Sequence, residues 1–305
     1  MNRTNILLVL SLLGLVVISF LIKRSYDQAE IEAASTFEPT PPSNSLVELD
    51  PEGDSLPRLS QEDLLFGLHP DASLSEVLDV AKQICAKIDA GVQDYTATLV
   101  SQERIGKSLK AESRMQVKIR SASDDRGLSV YLKFESPDSA KGREVIWIDG
   151  DNDGKLLVHE AGFKRMVGTL HLEPTGPVAM MGQKYPLTDI GLRNLAVKLI
   201  EKGEHELEIG QAVVGVYPNQ QLGERSTLLI EVNNPIDNGK SDFHIARIYI
   251  DDELQLPVLY EAYMWPAEAG GQPRLEERYA YEDLTLNVGL TDADFDPKNV
   301  QYDFP

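Results

Sequence analysis

The feature that most constrains this chain is a period-two alternation of apolar and polar residues that recurs from Tyr95 towards the C-terminus. Met115, Val117 and Ile119 alternate with Gln116, Lys118 and Arg120, and Leu128, Val130, Leu132 and Phe134 alternate with Ser129, Tyr131, Lys133 and Glu135. Successive side chains of a strand point to opposite faces, so this pattern builds an antiparallel sheet with one apolar and one wetted face. Tyr95–Ile105 is rich in Thr, Val and Leu, and further strands are expected at 144–149, 155–160, 164–172, 225–233, 243–251, 257–265 and 274–286. A sheet of about ten strands has to curl or close. It buries its concave face by packing helices into it, and a curled sheet with a helix in its mouth is a usual place for an apolar cavity.

Two helices supply that packing. Ser73-x-x-Glu76 is a capping box. Leu74, Val77, Leu78, Ala81, Ile84, Cys85 and Ile88 follow at helical spacing, with Gly91 at the stop. In the second helix Thr188 is the expected cap, Ile190, Leu192, Leu195, Ala196, Leu199 and Ile200 face inward, and Gly203 is the expected end. The expected fold class is mainly antiparallel β with α: a curled half-barrel sheet packed with an N-terminal helix and one inserted helix.

Before this domain stand two segments of different character. Ile6 to Ile22 is a run of 17 uncharged residues, flanked by Arg3 and by Lys23 and Arg24. At about 1.5 Å per residue it just spans a bilayer core. An uncleaved transmembrane anchor is the reading adopted, with a cleaved signal peptide as the rival. The flanking charges nearly balance, so they do not set its orientation. Residues 25–72 then carry eleven acids, one base (Arg58) and Pro39, Pro41, Pro42, Pro51, Pro57 and Pro70. Such a stretch buries too little apolar surface to offset ordering. It reads as a solvated spacer, its 48 residues averaging roughly 35–40 Å end to end, with Leu64, Leu65, Phe66 and Leu68 as a patch that docks on the domain. The expected organisation is thus a transmembrane anchor at 1–24, an acidic Pro-rich linker at 25–72 and an antiparallel half-barrel at 73–305.

Composition narrows the function. The 305 residues include 49 acids against 29 bases, a formal net charge of −20, which disfavours nucleic acid as a partner. The single cysteine, Cys85, excludes an internal disulfide framework and a multi-cysteine zinc site. It lies on the apolar stripe of the first helix and reads as a core residue. Asp149, Asp151, Asp153 and Glu160 match the calcium-loop pattern D-x-D-x-D-G-x5-E. The flanking segments read as strands, though, and a calcium loop needs helices. The competing reading is a polar hairpin turn in which Asp, Asn and Gly supply positive φ. No histidine pair has ligand spacing, and no nucleophile elbow, phosphate loop or dinucleotide fingerprint is present. No cofactor and no catalytic residue are expected.

The loop Pro174–Pro186 is punctuated by Pro and Gly and carries adjacent Met180 and Met181. Methionine adapts to irregular apolar shapes, so this loop is either a lid over a cavity or a plug in the sheet. Candidates for a cavity lining are Met115, Val117, Leu132, Phe134, Trp147, Met166, Leu170, Met180, Met181 and Trp265, each with plain core packing as its alternative.

The rhythm of the C-terminal third runs Ala246–Asp251, then Leu256-Pro-Val-Leu-Tyr-Glu-Ala-Tyr-Met264, then Tyr281–Leu290, then Asp294-Phe295. It resembles the lipoprotein-localisation (Lol-type) carriers. Tyr131-Leu-Lys-Phe134, Lys141-Gly-Arg-Glu-Val145, Asp153–Glu160 and Pro174-Thr-Gly-Pro177 resemble a family of uncharacterised planctomycete-type bacterial envelope proteins over roughly residues 75 to 305. The Lol-type resemblance implies a half-open antiparallel barrel covered by helices, with an apolar interior that holds acyl chains. It also favours placing the domain in the periplasm, on the outer side of an inner-membrane anchor. The chain departs from that pattern in having no cysteine for lipidation after the apolar run. The expected function is non-catalytic binding of a lipid or lipidated polypeptide. A protein-interaction module with a filled core and a hydrolase with unidentified carboxylates are the alternatives.

Overall fold

The computed structural model describes residues 65–268 and 270–305. The expected anchor at 6–22 and the acidic linker up to residue 64 lie outside the described residues. Of the expected docking patch, Phe66 packs against the core and Leu68 is buried within it.

Helix α1 spans Leu74–Gly91. Its capping box forms as expected: the Ser73 hydroxyl accepts from the Glu76 N–H at 3.3 Å, and the Glu76 carboxylate accepts from the Ser73 N–H at 2.7 Å. Leu74, Val77, Leu78, Ile84 and Ile88 are buried on its inner face, and Val80 joins them. Cys85 is half-buried against the same core.

The described strands are β1 (Asp94–Ile105), β2 (Ser108–Leu109), β3 (Ser113–Arg120), β4 (Ser129–Ser136), β5 (Glu144–Ile148), β6 (Leu156–His159), β7 (Thr169–Leu172), β8 (Val213–Leu222), β9 (Arg225–Asn233), β10 (Ile245–Asp251), β11 (Pro257–Met264) and β12 (Arg274–Leu286). They form one antiparallel sheet in the order β7-β6-β5-β4-β3-β1-β12-β11-β10-β9-β8, with β2 paired to the end of β1. Two meanders are joined where the first long strand, β1, meets the last, β12. The sheet stays open, because β7 and β8 sit at its opposite edges.

That order has a topological consequence. β7 and β8 are consecutive in the chain yet a whole sheet apart, roughly 45–50 Å along the ladder at ~4.8 Å per strand. The chain between them has to cross one face. It crosses the face with the apolar register, as an irregular segment at 173–191 followed by helix α2 (Leu192–Ile209). The main core lies between that face and the two helices. The opposite face carries two small clusters: Val100, Leu259 and Ala280, and Tyr131, Ile146 and Phe295 covered by Tyr302 and Phe304 of the C-terminal segment.

Helix α2 differs from expectation at both ends. Thr188 does not cap it; Leu187–Asp189 form a separate tight turn and the Thr188 hydroxyl bonds to Asp189. Gly191 precedes the helix at φ 113° and offers no side-chain cap. The Tyr95 hydroxyl of β1 accepts from the Leu192 N–H instead, at 2.9 Å. Gly203 does not end the helix, which runs on to Gly210 at φ 74°. It marks the close approach of the two helices: a Cβ there would lie 2.7 Å from Leu78 Cδ2. Two strands also differ. The expected strand at 164–172 is shortened to β7 by a tight turn at Gly162–Val167. β8 lies outside the expected strands, because Gly215 and Pro218 disguise it.

Tyr95→Phe removes the hydroxyl that accepts from the Leu192 N–H in a buried setting. The expected cost is about 1–3 kcal/mol, the penalty of a stranded buried donor, read as a lowered midpoint in chemical denaturation. An unchanged midpoint would show that the start of α2 is held by other means.

Candidate functional site

Between the sheet and its crossover lies a cavity of about 190 Å³. Strand register builds its floor. Tyr281 stands opposite Leu99, Leu99 opposite Met115, and Met115 opposite Phe134. Leu132 stands opposite Val145, Val145 opposite Val158, and Val158 opposite Leu170. Directly opposed residues share a face, so these side chains form an apolar strip across seven strands, and each of them lines the cavity. The roof comes from Val178, Ala179, Leu187 and Ile190 of the crossover and from Leu195 and Leu199 of α2.

One end of the cavity is polar. The inward positions of β1 run Leu99, Ser101, Glu103, and those of β12 run Tyr281, Tyr279, Glu277. Register places Glu103 opposite Glu277, two like charges that repel at that spacing. The crossover supplies the compensation. The Lys184 N–H donates to Glu103 Oε2 at 2.6 Å, and the Lys184 ammonium lies 2.9 Å from Glu276 and 3.1 Å from Glu277. The Tyr185 hydroxyl donates to Glu277 at 2.9 Å and Tyr260 donates to its other oxygen at 3.2 Å. Lys202 of α2 lies 3.7 Å from Glu277. Tyr279 donates to Glu103 Oε1. All four carboxylate oxygens of the pair therefore have partners, and Lys184-Tyr185 latches the roof to the sheet. Burial works against the Lys184 ammonium, yet Glu277 and Glu276 outweigh it and hold its pKa up. Burial pushes the Glu103 carboxyl up despite the hydrogen bonds from Tyr279 and Lys184. Burial, with Glu103 and Glu277 nearby, also drives the Tyr279 hydroxyl far above its ordinary value.

The candidate lining residues divide. Met115, Leu132, Phe134 and Leu170 line the cavity. Val117 and Trp147 are buried in the core beside it, and the Trp147 indole N–H donates to the Gly154 carbonyl at 3.3 Å. Met180 and Met181 are half-buried in the crossover, but the tight turn there brings Val178 and Ala179 to the cavity in their place. Trp265 packs against His244 with ring centres 5.4 Å apart. Met166 is 83% exposed on the outer surface. Asp149, Asp151 and Asp153 occupy the turn between β5 and β6, where Gly150, Asn152, Asp153 and Gly154 all have positive φ. Glu160 lies beyond β6 and is paired with Arg143 at 2.9 Å. Among the described residues no group of three His, Cys, Asp or Glu is placed to hold a metal ion. Glu103, Glu277, Lys184 and Tyr185 were not singled out from the sequence. The signal for the two acids was present, as a Glu in the inward register of each strand.

Glu103 yields a pH prediction. Its carboxyl pKa is higher in the folded state than in an ordinary glutamate, so the folded state binds that proton more tightly. Its contribution to stability is full below the ordinary glutamate range and is lost as pH rises through the raised value. Glu103→Gln keeps an acceptor for Tyr279 and Lys184 but cannot titrate. Its melting temperature should fall less across that interval than that of the wild type; parallel profiles would refute the assignment.

The solved structures that this chain resembles share little sequence with it. A DUF1329 family protein from Desulfovibrio piger is 12% identical at TM-score 0.36, covering 73% of this chain and 97% of that one. A candidate outer membrane lipoprotein-sorting protein domain from Vibrio parahaemolyticus is 15% identical at TM-score 0.35, with coverage of 73% and 97%. A LolA superfamily protein from Nitrosomonas europaea is 12% identical at TM-score 0.30, with coverage of 71% and 97%. No curated protein matches the sequence. The family model for "Protein of unknown function (DUF1571)" matches residues 92–304, from the strand side of α1 to the C-terminal segment. The chain belongs to the DUF1571 family.

Proposed function

We propose that the domain binds a lipid, or the acyl part of a lipidated polypeptide, without chemistry. The observation that carries this reading is the roofed cavity itself: an apolar strip across seven strands, continuous at one end with a polar, latched rim. An acyl chain gains about 0.8 kcal/mol per methylene buried in such a site. In the same reading Ile6–Ile22 is an inner-membrane anchor, the acidic linker sets the reach, and the domain stands in the periplasm, where an envelope protein partner would meet it.

The carboxylate pair does not favour a hydrolase. Both oxygens of Glu103 and of Glu277 are already engaged by the protein, so neither group is poised to meet a substrate. An interaction module has one supporting feature. β8 bonds only to β9, leaving its other edge unpaired among the described residues. Pro218 and the Asn219 kink at φ 56° blunt that edge.

Native mass spectrometry of the full chain, purified from membranes, tests the binding reading. The expected result is a stoichiometric acyl-chain adduct, reduced about tenfold in Ala179→Trp, where an indole takes the space under the roof. A bare polypeptide mass that does not change on incubation with lipid would overturn it.

A further inference from the structure

The turn between β6 and β7 presents apolar side chains outward. In Gly162–Val167, Phe163 and Met166 are each 83% exposed and Val167 is 42% exposed. The turn is a 3-10 helix, in which side chains three apart eclipse, so Phe163 and Met166 stand together as one apolar prong. Lys164 and Arg165 lie between them in sequence. Gly162 at φ 61° and Gly168 at φ 78° bracket the turn, so it projects as a sharp tip where the chain would otherwise continue the ladder.

The tip is braced from the neighbouring turn. The Lys164 ammonium donates to the Ser139 carbonyl at 3.3 Å. Gly142 packs so closely that a Cβ there would lie 2.8 Å from Ala161 Cβ. This brings the exposed Lys141 to the same end of the sheet, along with one acid, Asp138. Three bases thus lie on this turn and on the turn that braces it, on a chain whose net charge is −20. The protein as a whole is repelled by an anionic surface, and here the local charge is reversed.

We propose that Gly162–Val167 is a membrane-docking tip, with Phe163 and Met166 entering the interface of an anionic bilayer while Lys141 and Arg165 meet lipid phosphates. An apolar wedge accompanied by bases has the composition that binds such an interface. A bare apolar patch for a protein pocket would not require the bases. The tip adjoins the cavity: Glu160 precedes it and Leu170 and Leu172 follow it, all three lining the cavity wall. Docking here sets the β6–β7 end of the site against lipid. The tip stands on its own exposure and charge, independently of what the cavity holds.

The test is depth-dependent quenching in the full chain. Phe163→Trp and, as a control, Val300→Trp at a 97% exposed position are each incubated with vesicles of phosphatidylcholine and phosphatidylglycerol carrying brominated acyl chains. Wild-type emission from Trp147 and Trp265 is subtracted. The added tryptophan at 163 should be quenched at least about threefold more than that at 300. The difference should shrink in phosphatidylcholine alone, at high salt, and when Lys141→Glu and Arg165→Glu are added. Both positions are exposed, so the substitutions leave the core untouched. Equal quenching at the two positions, or quenching at 163 indifferent to lipid charge, would overturn the proposal and leave a protein partner as the occupant of the tip. Quenching at 163 without an acyl adduct in native mass spectrometry would uphold the tip and remove the cavity reading.

Discussion

Everything that makes a site here follows from one topological constraint. The first long strand pairs with the last, so the two meanders grow outward from β1 and β12 and leave β7 and β8 at opposite edges. The forty residues between them have to cross the sheet, and they cross its apolar face beside α1. The crossover cannot be as regular as a strand ladder. It joins a Pro- and Gly-rich segment to an 18-residue helix, and the mismatch between that roof and the strand strip beneath leaves space. The cavity is thus a product of how the sheet is threaded, more than of any one side chain.

The same pairing explains why the cavity has a polar end. Strand register sets Glu103 against Glu277, an arrangement that repels unless something neutral or cationic is brought to it. Lys184, Tyr185 and Lys202 all come from the crossover and its helix. The roof is consequently held by charge and hydrogen bonds at one end and by apolar contacts elsewhere. Stability and access are linked through these few groups, because loosening the latch exposes the apolar strip. The Tyr95 hydroxyl, capping α2 from β1, holds the other end of the roof to the same central strand pair.

Much of this was legible in the residues. Period-two alternation marked β3 and β4, because a half-buried antiparallel strand must alternate. The Ser73–Glu76 capping box marked the start of α1, because its hydrogen bonds are local. What misled were residues whose meaning depends on distant neighbours. Gly203 looks like a helix stop and is a helix crossing against Leu78. Gly215 and Pro218 look like breakers and lie within an edge strand. Met180 and Met181 are the softest residues of the crossover, yet the turn's geometry brings Val178 and Ala179 to the cavity. Met166 lies in a segment that reads as a strand, and a tight turn carries it to the surface.

By itself, the sequence determined the class of structure: an antiparallel sheet with two amphipathic helices, because strand alternation, helical spacing and capping are set by neighbours a few residues apart. It also narrowed the thiol and metal chemistry open to the chain, since there is one cysteine and the histidines are scattered. The tertiary structure decided which face is concave, which residues line it and which acids meet. Those outcomes depend on β1 pairing with β12 across nearly the whole domain, and on a crossover whose path is set by the two edges it has to join.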